Sequence, residues 1–454
     1  MQKSKKSFFL RIILLSLMLI IIPNLLISIQ KDIGIHVDER NKNEIINSQR
    51  NFNFYNTKYT TLESAASTAL LWSFTLNSIR EIDLSSDGNY IAVAGIEDIG
   101  GIVYLFNTSH STPLWNYPVA GPYQSAIATA ISSDGAYVAV GTVEGKLFLF
   151  NGTSGVPLWN YTTSGTIGSV AISSNGSLVV VGTSKMKILL FNLENSTPIW
   201  SYRVGRRISD LVISTSGNTI AVQDAQGRLY IFGKNSSIPI WIYSATYEDL
   251  SFYSAISLSS DGNYIVFGTG LGDSSTYLFN RSSNIPMWTS NFNSPAKTIE
   301  MSFDGNYIIE GFRNGMIQFF KKDNNISLWN YSTGSSITSV AISNNGDLCA
   351  ALVYERGIFL FNKSSSNPFW EYSLIEHISY PYSKVVMSAN GKIIVANNDN
   401  TIYLFNWDSI LENNNDNNNP IDPTVISLVV LGFFSLIVIV TTFVLRRRKL
   451  QKDK

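Results

Sequence analysis

Short runs of apolar or alternating residues recur along most of the chain, four to a unit, separated by turn-forming residues. In residues 125–161, "SAIATAIS" alternates and predicts a first strand, whereas "AYVAVG" is apolar on both faces and predicts a buried second strand. The run "KLFLFN" predicts a third strand, and Asp134-Gly135 predicts a tight hairpin between the first two. The segment "PLWNY" predicts an outer fourth strand, whose Trp159 can cover the gap between neighbouring units.

This unit is repeated eight times. The turn glycines that mark the copies are Gly88, Gly135, Gly176, Gly217, Gly262, Gly305, Gly346 and Gly391. A period near forty residues with four short strands per unit is typical of a β-propeller. The outer tryptophans of the copies are Trp72, Trp115, Trp159, Trp200, Trp241, Trp288, Trp329 and Trp370.

The two ends of the repeat region complement each other. The stretch "LLWSFTL" at 70–76 has an outer-strand tryptophan but no strands before it, and the last unit ends at "TIYLFNWD" after three strands. If the first segment is the fourth strand of the last unit, the ring closes and no long sheet edge is left exposed. The sequence therefore predicts an all-β, eight-bladed propeller over 70–408, closed by an N-terminal outer strand, with Trp407 outside the series.

Two propeller families share these motifs. The phrase "LFNGTSGVPLWNY" resembles the tryptophan-docking motif of pyrroloquinoline-quinone-type propellers. The phrase "SSDGAYVAVGTVEGKLFLFN" is similar to the WD-repeat pattern, except that Phe150-Asn151 stands where Trp-Asp is expected and no Gly-His precedes the unit. The resemblance covers about 70–408 and implies the propeller fold. Because both families contain enzymes as well as binding scaffolds, it implies no single activity.

Both ends of the chain carry membrane signals. The uncharged apolar run 424–445 is long enough to cross a bilayer as a helix, and the "RRRKLQKDK" after it predicts a cytoplasmic C-terminus. A basic start and the apolar "IILLSLMLIII" predict a secretory signal in 1–29, either cleaved or kept as an anchor that would make the protein two-pass. The predicted segments are the signal 1–29, a polar linker 30–69, the propeller 70–408, an Asn-rich tether 409–423, the transmembrane helix 424–445 and a tail 446–454. Either form of the signal places the propeller on the extracytoplasmic side of the cell membrane.

Composition and charge favour a binding module over an enzyme. Only 15% of the residues are charged and the net charge is zero, so the chain lacks the electrostatic footprint of a nucleic-acid-binding protein. The single Cys349 excludes the vicinal cysteine pair that the resemblance to quinone-dependent propellers implies for an enzyme. His36, His110 and His377 fall in a linker, a turn and a loop, which predicts no metal site. We expect no catalytic residue and no cofactor; the alternative is a quinoprotein-like or hydrolytic propeller with its site over the central channel.

Propeller topology separates the loops onto two faces. Loops between first and second and between third and fourth strands share one face, which also holds both ends of the ring and is here called the terminal face. The other loops lie on the opposite, distal face. Most Asn-x-Ser/Thr sequons fall on the terminal face, and they predict either glycans or a turn consensus of the repeat. The candidates are Asn107, Asn151, Asn160, Asn175, Asn195, Asn235, Asn280, Asn325, Asn330 and Asn362.

Two distal loops, 244–254 and 373–383, are candidates for recognition because they combine charged residues with aromatic ones, which bury area at little entropic cost, and a third distal loop carries two arginines. The candidate residues are Arg206, Arg207, Tyr247, Glu248, Asp249, Phe252, Tyr253, Glu376, His377, Tyr380 and Tyr382. The alternative is that these loops only pack their own aromatics over the ring. The sequence predicts a membrane-anchored, non-catalytic binding or scaffolding module whose partner is a protein or glycan at the cell surface; a purely structural surface coat is a third hypothesis.

Overall fold

The computed structural model describes residues 69–407, apart from 99, 122–123, 246–254, 271–272 and 375–381. These residues form eight antiparallel four-stranded sheets, seven of which have their strands in meander order. Each inner strand contacts the inner strand of the next blade, and the last inner strand contacts the first. The predicted all-β, eight-bladed propeller is confirmed.

The strands are short and evenly spaced. The closing strand and blades 1 to 4 are β1 Leu70–Thr75; β2 Ser78–Leu84, β3 Tyr90–Glu97, β4 Gly100–Asn107, β5 Pro113–Pro118; β6 Ala126–Ile131, β7 Tyr137–Thr142, β8 Lys146–Asn151, β9 Pro157–Thr162; β10 Ile167–Ile172, β11 Leu178–Thr183, β12 Lys187–Asn192, β13 Trp200–Arg203; β14 Ile208–Ile213, β15 Ile220–Asp224, β16 Arg228–Phe232 and β17 Trp241–Ser244. Blades 5 to 8 are β18 Ala255–Leu258, β19 Tyr264–Gly268, β20 Ser275–Asn280, β21 Trp288–Asn291; β22 Ala296–Met301, β23 Tyr307–Phe312, β24 Met316–Lys321, β25 Ser327–Ser332; β26 Ile337–Ile342, β27 Leu348–Val353, β28 Gly357–Asn362, β29 Trp370–Tyr372; β30 Val385–Met387, β31 Ile393–Asn397 and β32 Thr401–Asn406.

Ring closure occurs as the sequence predicts. Strand β1 pairs antiparallel with β32, with Leu70 opposite Phe405 and Thr75 opposite Thr401, and the sheet order is β1-β32-β31-β30. The eighth blade is thus built from both ends of the repeat region. Since β1 begins and β32 ends at the same edge of the ring, both chain ends leave from the terminal face.

The core lies between blades, and the outer tryptophans join it to the next blade. One hydrophobic cluster contains Ile402 and Leu404 of blade 8 together with Ile79 and Phe106 of blade 1. Seven outer tryptophans donate their indole N–H to a backbone carbonyl in the following blade, at 2.7–3.1 Å. The pairs are Trp72 to Thr108, Trp115 to Gly152, Trp159 to Leu193, Trp200 to Lys234, Trp241 to Arg281, Trp288 to Lys322 and Trp329 to Lys363. This arrangement is the docking that the sequence motif implied.

Trp370 is the exception in the tryptophan series. Its side chain is buried, but its Nε1 has no hydrogen-bond partner within the described part of the chain. The reason is topological, because the eighth blade has no loop between third and fourth strands at this place; the chain runs on from Asn406 to Trp407. Trp407 instead packs against Phe369, with ring centroids 4.7 Å apart. Its predicted position outside the docking series is confirmed.

The hairpin between first and second strands differs in detail from the tight two-residue turn that Asp134-Gly135 predicts. Ser132 pairs with Tyr137 across the loop, and only Gly135 has a positive φ, 72°. Asp134 instead accepts hydrogen bonds from the Ser132 hydroxyl at 2.8 Å and the Ala136 N–H at 3.0 Å. The loop is therefore a wider turn held by side-chain hydrogen bonds, and the aspartate acts as a turn former.

Candidate functional site

The central channel is lined by the first strand of every blade. Most of the residues five and seven positions before the turn glycines line it, and at most of these positions they are Ala, Ser, Thr or Val. The channel space has a volume of about 470 Å³. Its charged residues are Glu81, Asp83, Asp210, Lys297, Glu300 and Lys384. Four carboxylates thus face two ammonium groups in a cavity deep inside the ring.

Some of these charged side chains are paired with groups of the neighbouring blade. Lys384 of blade 8 lies 2.5 Å from Glu81 of blade 1, measured from Nζ to Oε1. Asp83 accepts the Ile131 N–H of the neighbouring inner strand at 3.0 Å. Glu300 accepts the Ser257 hydroxyl, also from the neighbouring blade, at 3.1 Å. Each inner strand is a sheet edge, so Asp83 satisfies a backbone N–H at the edge of the adjacent blade.

The depth of the channel changes the proton affinity of its acids. Burial raises the pKa of Asp210 and that of Glu300 to about 7, although Lys384 partly opposes it for both carboxyls. Burial alone would lower the pKa of Lys384, but the carboxylates of Glu81 and Asp83 outweigh it and raise that pKa. These side chains keep some surface on the channel space even though they lie deep in the ring. Near neutral pH the carboxyls of Asp210 and Glu300 are therefore each partly protonated, while Lys384 stays paired with Glu81.

The raised pKa values of Asp210 and Glu300 predict that the free energy of unfolding depends on pH. The ordinary pKa values are 3.8 for Asp210 and 4.5 for Glu300, so the unfolded chain releases both protons well before the folded ring does. The folded state binds more protons between about pH 4 and about pH 7, and its free energy of unfolding falls as pH rises through that window. We expect the double variant Asp210→Asn, Glu300→Gln to show a flatter pH profile than the wild type in urea unfolding.

Asp134→Asn is the matched control for this prediction. Burial would raise the pKa of Asp134, but the hydrogen bonds from Ala136 and Ser132 outweigh it and lower that pKa. The stability it contributes is therefore lost only on acidification, and its removal should leave the slope between about pH 5 and about pH 8 unchanged. Parallel profiles for the wild type and the channel double variant would contradict the prediction.

The channel does not fit the cofactor that the quinone-type resemblance suggests. Pyrroloquinoline quinone is a tricarboxylate, whereas the charged residues of this cavity are mostly acids and Lys384 is already paired with Glu81. Among the described residues, no group of three or more His, Cys, Asp or Glu side chains is placed to hold a metal ion. Cys349 is buried, and its burial raises the pKa of the thiol. No catalytic step follows from these residues.

On the distal face, the structure describes three of the eleven candidate binding residues. Arg206 and Arg207 are exposed between β13 and β14, and Arg206 donates to the Gln226 side chain at 3.2 Å. Tyr382 is half-buried beside blade 8, with the Arg80 guanidinium 4.2 Å from its ring centroid. The arginines and Tyr382 therefore lie on opposite sides of the ring and do not form one patch. The other eight candidates, Tyr247, Glu248, Asp249, Phe252, Tyr253, Glu376, His377 and Tyr380, lie outside the described residues.

The sequons on the terminal face lie in ordered turns. Asn107, Asn151, Asn280 and Asn362 are half-buried, and each accepts the N–H of the residue two positions on, at 2.8–3.1 Å. This is the turn chemistry expected of asparagine in such loops. Asn160, Asn175, Asn195, Asn235, Asn325 and Asn330 are exposed. Glycosylation at these sites stays a prediction.

The sequence analysis did not identify the charged residues of the channel, although the sequence contains a signal for them. When the copies are aligned on their turn glycines, Asp83 and Glu300 stand where blades 2, 3 and 7 have alanine. Charged residues in an inner strand of otherwise small side chains mark a departure from the repeat. Such departures, more than the repeated residues, indicate the positions that are specific to this protein.

Two comparisons with known proteins agree on the propeller architecture. A family model of the pyrroloquinoline-quinone type, described as outer membrane protein assembly factor BamB, matches residues 61–238, which is less than half of the chain. The crystal structure of the Myceliophteria thermophila Cps50 (Swd1) beta-propeller domain matches with a TM-score of 0.52 at 10% sequence identity, over 74% of this chain and 98% of that chain. No curated protein matches the sequence. The resemblance to pyrroloquinoline-quinone-type propellers is thus confirmed, and the structural likeness shows the fold.

Proposed function

We propose, from the similarity of this chain to pyrroloquinoline-quinone-type propellers, that it is a membrane-anchored, extracytoplasmic propeller that binds a partner at the cell surface. In this proposal it acts as a scaffold and catalyses no reaction. The observation that carries the proposal is the match of residues 61–238 to a model described as an assembly factor, on a ring that closes on itself. The matched description concerns assembly of other proteins, so a protein partner is the first expectation.

The positions of the chain ends support an oriented ring. Leu70 and Phe405 are paired at the edge of the eighth blade, so linker and tether both leave from the terminal face. Sixteen residues, 408–423, separate Trp407 from the apolar run 424–445, and they reach at most about 55 Å when fully extended. No helix within the described residues is long and apolar enough to cross a membrane, and both predicted membrane segments lie outside those residues. If 424–445 spans the bilayer, the distal face points away from it.

The distal face is where we expect the partner to bind. Its described loops place Arg206 and Arg207 at the surface, and arginine is enriched in the centre of interfaces. The aromatic loops 244–254 and 373–383, which the sequence predicts on the same face, would supply the tyrosines. The channel acids lie behind this face and would meet any partner segment that entered the ring.

Capture of the partner on intact cells tests this proposal. Cells that express the full-length chain are treated with a membrane-impermeant cross-linker, and the products are purified through the chain. We expect the variant Arg206→Glu, Arg207→Glu to lower the yield of the cross-linked species by about tenfold, which corresponds to ~1.4 kcal/mol of binding free energy. Lys321→Glu, a charge reversal of an exposed lysine on the terminal face, is the matched control and should leave the yield unchanged.

Two outcomes would count against the proposal. Equal capture by the wild type, the arginine variant and variants truncated in the loops 244–254 and 373–383 would remove the distal face as the binding surface and favour a purely structural coat. Saturable binding of a quinone or calcium by the purified protein would favour the enzyme alternative.

A further inference from the structure

Exposed apolar residues are concentrated at one end of the outer strands. In seven blades the residue before the docking tryptophan is apolar and exposed: Leu71, Leu114, Leu158, Ile199, Ile240, Met287 and Leu328. In most blades the residue after the tryptophan is polar, as at Asn116, Asn160 and Asn330. Because each outer strand begins at the terminal face, the rim of the ring is apolar next to that face and polar beyond it.

Three consecutive blades carry a second exposed apolar residue, closer still to the terminal face. Ile238, Ile285 and Ile326 of blades 4, 5 and 6 are 75%, 73% and 72% exposed. The equivalent position holds Thr112 in blade 1 and Thr197 in blade 3, so the repeat itself does not require an apolar side chain there. Val156 of blade 2, 62% exposed, lies outside these three blades. We call the six residues Ile238, Ile240, Ile285, Met287, Ile326 and Leu328 the apolar arc.

The apolar arc is unusual for a surface that faces only water. Single exposed apolar residues are normal in soluble proteins, but a row of six across neighbouring blades indicates a surface that is covered by something else. The three loops that contain the isoleucines also carry more cations than acids. Their charged residues are Lys234, Arg281, Lys321, Lys322 and Asp323. Asp261 and Asp304 lie on the same face in the turns of the inner hairpins, nearer to the ring axis.

The position of the arc in the chain indicates what covers it. The arc borders the terminal face, from which the chain leaves toward the apolar run 424–445 through the sixteen residues 408–423. We infer that the apolar arc lies in the interfacial layer of the bilayer that holds this run, with its isoleucines among the upper acyl chains and its cations at the lipid phosphates. This inference rests on the proposed membrane anchoring. Amphipathic surfaces that combine aliphatic side chains with lysine and arginine bind lipid interfaces in this way.

Lipid contact has a consequence for the sequons. Asn235, Asn280 and Asn325 lie in the loops that carry the isoleucines of the arc. A glycan at any of them would hold the loop away from the bilayer, so these three sites must be unmodified. Sites on other blades, such as Asn151 and Asn195, are not constrained. A glycan at Asn235, Asn280 or Asn325 in protein from its native cells would overturn the inference.

The chain is well suited to a depth measurement by site-specific labelling. Its single Cys349 is buried and its thiol pKa is raised, so introduced cysteines react selectively. Full-length protein carrying Ile285→Cys is labelled with a fluorophore and reconstituted in vesicles that contain lipids brominated near the headgroup. Val143→Cys on the distal face, also an exposed apolar position, is the matched control. We expect quenching to be at least about threefold greater at position 285 than at position 143.

A second variant separates lipid contact from simple nearness to the bilayer. A label at Asn284→Cys reports on the same loop, and we expect its quenching to fall by about half or more when Ile238, Ile285 and Ile326 are all replaced by Thr. These replacements copy Thr112 and Thr197 of other blades, so the fold has already accepted them. Unchanged quenching in this variant would overturn the inference, because proximity through the tether would then explain the signal.

Flotation of the protein with vesicles distinguishes a failure of the lipid-contact inference from a failure of the proposed membrane anchoring. If the protein floats with the vesicles but position 285 is quenched no more than position 143, the anchoring stands and lipid contact by the arc is wrong. If the full-length protein does not float, both are wrong. If in lipid-free detergent the 285 label moves to a less polar environment as protein concentration rises, a second copy of the chain covers the arc and the inference is overturned.

Discussion

Deletion of the first strand, Leu70–Thr75, is expected to abolish cooperative folding of the ring. This strand is the fourth strand of blade 8, and its loss would expose the whole edge of β32. It also joins blade 8 to blade 1, because Trp72 donates its indole N–H to the Thr108 carbonyl at 2.8 Å. Phe74 packs edge-on against Phe106, with ring centroids 4.9 Å apart.

The expected size of this effect follows from what the strand contributes. Truncation of one large aromatic side chain in a core costs about 3–5 kcal/mol, and whole domains are stable by about 5–15 kcal/mol. Loss of Trp72, Phe74 and the β1–β32 ladder together therefore approaches the stability of the ring. The measurement is urea unfolding of the full-length protein in detergent, followed by circular dichroism and tryptophan fluorescence.

Graded and control variants make the result specific to ring closure. Phe74→Ala alone should lower the free energy of unfolding by about 3 kcal/mol and leave a folded ring. Deletion of six residues from the polar linker, 51–56, should leave the unfolding transition unchanged. A β1 deletion that unfolds at the same urea concentration as the wild type would show that blade 8 is closed in some other way.

Repetition explains why so much of the fold could be predicted from the sequence. The turn glycines, the apolar second and third strands and the outer tryptophans each occur in nearly every copy, so eight weak local signals add up to one strong prediction. Closure by Leu70–Thr75 followed from the same logic, because the missing strand of the last copy had one candidate. The exception at Trp370 has the same origin. Its Nε1 has no hydrogen-bond partner among the described residues because it faces blade 8, whose third and fourth strands come from opposite ends of the repeat region.

Features that depend on local backbone geometry were not predicted. In six blades the pairing of the first and second strands shifts register near the start of the first strand, as between Ile79 and Glu81 in blade 1. A strand that contains such a bulge has the same strand-forming residues as a regular one, so its amino-acid composition does not reveal the extra residue. The hairpin was predicted as a two-residue turn because Asp-Gly favours that geometry, but the Ser132 side chain stabilises a longer loop.

The candidate site was less predictable than the fold because its acids occur in only a few of the copies. Asp210 and Glu300 lie on blades 4 and 6, each has an acidic counterpart only in blade 1, and only ring closure brings them to the same channel. Arg206 was placed correctly on the distal face, since topology alone decides the face of a loop. Tyr382 lies on the same face but packs beside Arg80, which sequence spacing did not indicate.

Protease treatment of intact cells shows on which side of the membrane the propeller lies. We expect protease to release propeller peptides, such as those spanning 150–203, while a tag placed after residue 454 remains protected inside the cell. The expected effect is all or none, because an intact bilayer excludes the protease. A cytoplasmic protein serves as the control for cell integrity. Full protection of the propeller together with release of the C-terminal tag would contradict the predicted orientation and the surface-binding function with it.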